Sequence, residues 1–150
     1  MLVSSHLEKI DRFEAAMASL DPLEDFELWF WSAMVSGTNA VNAALHLARI
    51  TPAEHAFPSQ PGVYYVPDEK GHRPVLKELG DVLHVGRPPI KAPVSQDIQR
   101  MMHAMEKIEA FRDPCTRGDM QISAQIVQEC QGAYSECMQL LRKQLEENQT

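Results

Sequence analysis

Two groups of residues have the types and spacing for chemistry. The first is "TNAVNAALH" (38–46), which sets Asn39, Asn42 and His46 inside an uncharged run from Leu28 to Ala48, where a buried helix normally carries leucines. At about 100° per residue these three share one helical face with Arg49, and Val35, Trp31 and Leu28 continue it backwards as an apolar and aromatic half. Amides on a buried face must find partners, because an unsatisfied one costs about 1–3 kcal/mol. Bonds to the backbone of an irregular segment packed over them meet that demand, and so does a pocket in which they orient a ligand. The second group is "KELGDVLHVGRPPI" (77–90), where Lys77, Asp81, His84 and Arg87 recur at helical spacing. A carboxylate touching an imidazole favours its charged form and fixes the ring, which suits acid–base work. The plain alternative is a solvated helix end stopped at Gly86.

The elements that position these residues follow from periodicity. Ser5 and Glu8 have the spacing of a capping box, and Leu7, Ile10, Phe13, Met17 and Leu20 recur behind them, which predicts a first helix over about 5–19. Asp21, Pro22 and Glu24 form the next start signal, for a second helix over 22–50 that carries the amide stripe. "TPAEHAF" repeats the start pattern as one short turn before Pro58. Between Pro58 and Pro93 lie seven of the ten prolines and four of the seven glycines, so the chain changes character here. This crossover, about 51–94, is expected to hold a small hairpin at 63–76 around "VYYV" and a short helix at 75–85. Ser95 caps a third helix with Ile98, Met101, Met102, Met105 and Ile108 on one face, ending near Phe111. Asp119 is the expected cap of a fourth, with the stripe Ile122, Ile126, Cys130, Ala133, Cys137, Leu140 and Leu141. The expected fold is all-α: one domain over 1–150, a four-helix up-and-down bundle with a long Pro/Gly-rich crossover between helices two and three.

Composition bounds the function. At 150 residues, 44% hydrophobic and 23% charged, the chain suits one soluble domain. A formal charge of −7 argues against a broad electrostatic grip on nucleic acid, which needs clustered Lys and Arg. The uncharged run has the length of a membrane span, but its Ser, Thr, Asn and His load points to a buried central helix, and no membrane association is expected. Cys130 and Cys137 are about 10.5 Å apart along a helix, too far for a disulfide, and "MLVSSHLEKIDRFEAA" has no apolar core segment of a secretory signal, so a reducing cytoplasm is expected. Carboxylates near the amide stripe are few and His-x-x-x-His does not occur, so no metal and no cofactor is expected.

"FELWFWSAMVSGTNAVNAALH" (26–46), followed after a crossover by "LKELGDVLHVGRP" (76–88), resembles the bacterial HEPN-like helical bundles. Members of that group that cut RNA pair an Arg with a His a few residues later, at a homodimer interface and without metal. His84 takes the histidine position here, and Lys77 is the basic residue near the permitted spacing. Lys lacks the planar fork that grips phosphate, so the resemblance implies a dimerising, ligand-binding module rather than a nuclease. The expected function is therefore a non-catalytic homodimeric module that binds a small ligand or a protein or RNA partner. Its pocket would lie between helix two and the crossover, at Trp31, Asn39, Asn42, His46, His84 and Arg87. The alternative is a metal-independent RNase using His84 with Lys77 or Arg87.

Overall fold

The computed structural model describes residues 1–149. Its elements in chain order are α1 (Val3–Met17), α2 (Phe26–Leu47), β1 (Phe57–Gln60), β2 (Val63–Asp68), β3 (Gly71–Leu76), α3 (Gln96–Glu109), a π-type turn (Asp113–Arg117) and α4 (Ala124–Gln149). The strands form one antiparallel sheet in the order β1-β2-β3. The all-α four-helix up-and-down expectation is thus overturned: the fold is mixed α and β, and the crossover is where the sheet lies. Pro58, expected to stop the preceding turn, and Pro74, inside the expected hairpin, sit on the two edge strands, where a missing N–H disturbs the ladder least, while Pro67 lies near the end of the central strand β2. The hairpin at 63–76 is present as β2 and β3, closed at Gly71, whose φ of 121° excludes most side chains.

α2 is the central helix and packs against α1, α3 and α4. Its core residues Phe30, Ala33, Ala40, Val41, Ala44 and Leu45 are buried, and Met101, Met105 and Ile108 of α3 and Cys130, Cys137 and Leu141 of α4 close over them. The small residues of α2 permit that closeness: a Cβ on Gly37 would lie 2.1 Å from Met105 Sδ. Burial pushes the Cys130 and Cys137 thiols up to about 12, so both behave as apolar filler. Among the described residues, no helix is long and apolar enough to cross a membrane.

Helix ends depart from the start signals by a few residues. α1 begins at Val3 with Leu2 as its N-cap and no side-chain cap, so the Ser5/Glu8 box does not form. Asp21 Oδ1 does accept from Leu23 N and Glu24 N, but it caps a separate turn, and α2 starts only at Phe26. Ser95 caps α3 as expected, accepting from Ile98 N. For α4, Ser123 takes the cap by accepting from Ile126 N, in place of Asp119. The short helix at 75–85 does not form: Leu76 ends β3, and the chain from Lys77 to Ser95 is irregular.

Candidate functional site

Where α2 passes under the irregular segment, its polar stripe turns inward. Asn42 replaces a strand: its Nδ2 donates to Val82 O (2.8 Å) and to Thr38 O (3.0 Å), while its Oδ1 accepts from Val82 N (2.7 Å). One side chain thereby satisfies both backbone groups of a buried loop residue. Tyr64 of β2 donates its hydroxyl to Asp81 O at 2.9 Å, tying the sheet to the same loop. Gly80 allows that approach, since a Cβ there would lie 2.4 Å from the Tyr64 ring.

These bonds drop the Asp81 carboxylate between two histidines. His46 Nε2 lies 2.8 Å from Asp81 Oδ1, and His6 Nε2 of α1 lies 3.4 Å from Oδ2. The rings are 5.2 Å apart between centroids. On the far side of each ring stands a support: Asn39 Oδ1 at 2.8 Å from His6 Nδ1, and Thr51 at His46 Nδ1, with Oγ1 at 2.8 Å and the carbonyl at 3.2 Å. The Met1 amino group also bonds Asp81 Oδ1. Only 2% of His6 and 5% of Asp81 are exposed, so the rings and the carboxylate lie in the interior, with the partly exposed Met1 amino group at the edge of the cluster. Burial works against the carboxylate's charge, yet the bond from His46, then the facing His6 and the Met1 amino group, hold Asp81 well below the usual carboxylate range.

The outer surface carries a second feature, a groove between α2, the 83–87 segment and α3. Trp31, Val35, Leu83 and Met105 line an apolar slot of about 290 Å³, with His84, Glu109 and Arg112 at its rim. The same three side chains border an adjoining, more polar hollow of about 620 Å³, completed by Arg87, His103, Glu106 and Lys107. Arg87 Nε donates to Glu106 (2.7 Å) and Arg112 to Glu109 (3.0 Å), while His84 Nδ1 lies 3.5 Å from Glu109.

The pocket expected from sequence therefore divides in two. Trp31, His84 and Arg87 meet at the outer groove, whereas Asn39, Asn42 and His46 belong to the interior network. Lys77 pairs with Glu54 and is not among the side chains that line the groove. Asp81 partners His46 and His6 rather than His84. His6 is the residue that sequence reasoning missed. Its signal was its place four residues before Ile10 on the buried face of α1, where an imidazole needs a polar neighbour from elsewhere in the chain. Tyr134 reaches Ser36 Oγ (2.8 Å) and Glu14 (3.3 Å) on another side of α2. No family model, curated protein or solved structure matches the chain.

Proposed function

We propose that the chain is a non-catalytic binding module of the HEPN-like type, acting in the cytoplasm, whose outer groove takes a small ligand with an apolar body and an anionic group. One observation carries this reading: an apolar slot walled by Trp31, Val35, Leu83 and Met105 adjoins a polar hollow bordered by Arg87, Lys107 and Arg112, with Arg87 bonded to Glu106 and Arg112 to Glu109. Apolar walls supply affinity, and a few placed charges set orientation. Lys107 and the guanidinium edges of Arg87 and Arg112 that their carboxylate partners leave free are the donors offered to an anion here, on a chain whose overall charge is −7.

The test uses anilinonaphthalene sulfonate, a probe with an aromatic body and a sulfonate, followed by its fluorescence. The expected result is saturable binding weakened about tenfold, near 1.4 kcal/mol, in Trp31→Ala and again in Arg112→Ala. Binding unchanged in Trp31→Ala would remove the groove as the site. The RNase alternative is tested alongside by incubating labelled RNA with the protein in chelator. No cleavage is expected, and cleavage abolished by His84→Ala would replace the binding reading with that one.

A homodimer is the second part of the proposal. Leu28, Trp31 and Val35 form a stripe on the first half of α2 with exposures of 65%, 39% and 39%, while the second half of the same face is covered by α1 and the irregular segment. Large exposed apolar residues in one row favour burial against a second copy. Leu28 does not line the slot, so Leu28→Glu separates the two ideas. Sedimentation is expected to show a dimer for the native chain and a monomer for Leu28→Glu; a native monomer at micromolar concentration refutes the dimer and leaves the groove untouched.

A further inference from the structure

We propose that His6, His46 and Asp81 form a binding site for one divalent transition-metal ion of the zinc class. One ligand atom from each lies within 4.8 Å of the other two, and all three residues are buried. Two imidazoles and one carboxylate are a common donor set for such ions, and the Met1 amino group bonded to Asp81 Oδ1 must release that oxygen as the ion enters. Ligand atoms about 2.0–2.1 Å from a tetrahedral ion stand about 3.3–3.4 Å from one another. His6 Nε2 stands 3.4 Å from Asp81 Oδ2 and His46 Nε2 2.8 Å from Oδ1, so an ion held through one carboxylate oxygen requires the Asp81 carboxylate to turn and the rings to shift within a cluster that already spans less than 4.8 Å.

The supports behind the rings argue independently for a ligand. Asn39 Nδ2 donates to Val35 O, which fixes its Oδ1 as the atom facing His6 and makes His6 Nδ1 the N–H donor. His6 Nε2 is then the ring position that either directs a second proton at Asp81 Oδ2 or gives that proton up to a metal ion. Among the described residues it is the one buried side-chain nitrogen or oxygen without a hydrogen-bond partner. A metal-ligating histidine characteristically donates its other N–H to an oxygen acceptor, which is the arrangement Asn39 enforces. Thr51 provides the same for His46. Its hydroxyl can donate to Nδ1 when Nε2 carries the proton, and its carbonyl can accept from Nδ1 when Nε2 binds a cation. His46 can thus change tautomer without moving. Asp81 also borders a cavity of about 220 Å³ beside Pro58, Gly62 and Tyr64, although neither His6 nor His46 lines it.

The test titrates the chelator-stripped full chain with Zn²⁺ by calorimetry and with Co²⁺ by visible absorption. One ion per chain is expected, with a Co²⁺ ligand-field band. Asp81→Asn is expected to weaken binding about 100-fold or more, and Asn39→Leu, which removes only the support of His6, about 10- to 100-fold. His84→Ala and His103→Ala, at the outer surface, are expected to change nothing. Absence of binding up to about 1 mM metal, or equal affinity in Asp81→Asn, overturns the site. Long-range proton–nitrogen spectra of the native chain give a readout independent of any variant. With zinc, both rings should carry the proton on Nδ1 and show a metal-shifted Nε2; a His46 that keeps its Nε2 proton at saturating zinc refutes the proposal.

Discussion

Replacing Asn42 with leucine should lower stability by about 3 kcal/mol, although the two side chains have the same branched skeleton of four heavy atoms. Shape is not the issue, because leucine fills the space and leaves no cavity. The loss is polar: Val82 N–H and Val82 C=O both bond the Asn42 amide, and both lie in the interior without it. A buried backbone group left unpaired costs about 1–3 kcal/mol, and leucine removes the partner of two. The gain from burying a larger apolar surface offsets part of this. Urea denaturation measures the result as a lower midpoint at unchanged slope. A shift below about 1 kcal/mol would mean that the Val82 backbone finds other partners and that Asn42 does not hold the loop.

The same bonds explain why the segment after β3 was misread as a helix. "PVLKELGDVLHV" has helical spacing, and nothing local forbids a turn there except Gly80. What decides the outcome is distant in sequence. Lys77 N donates to Gly62 O as a continuation of the sheet, Asn42 takes both backbone groups of Val82, and Tyr64 takes the carbonyl of Asp81. Each of these removes a group that an i→i+4 ladder would need. By contrast α3 was legible to within a residue or two, because its apolar period and its Ser95 cap are both local. The inward turn of Asn39, Asn42 and His46 was also legible, since three polar groups on an uncharged helix demand partners. Who those partners are was not: His6 and Asp81 come from segments 40 and 35 residues away from His46. The exposure of Leu28, Trp31 and Val35 was hidden for a related reason, since nothing in the helix itself says how far along its face the neighbouring segments reach.

Asp81→Ala should cost about 3 kcal/mol in chelator-treated protein, and Asp81→Asn, which keeps the contacts to both rings but loses the charge beside the Met1 amino group, should cost about half of that. Alanine leaves His6 Nε2 and His46 Nε2 facing an empty space in the interior, and it discards a charge-assisted bond worth more than a neutral one. Alanine also takes the carboxylate from the half-buried Met1 amino group, so the loss of that ion pair adds to the lost bonds and a small void. Asparagine reproduces the pattern the two rings require. Its oxygen accepts from His46 Nε2–H, with Thr51 Oγ1–H donating to the opposite nitrogen, and its NH₂ donates to His6 Nε2 in the neutral ring whose proton sits on Nδ1. The bond from Tyr64 goes to the main-chain carbonyl and survives both changes. Chemical denaturation of the two variants beside the native chain checks the ordering. If Asp81→Asn is as damaging as Asp81→Ala, His6 Nε2 carries a proton in the native protein, the rings are not arranged as Asn39 dictates, and the acceptor that a metal ion would use at this position does not exist.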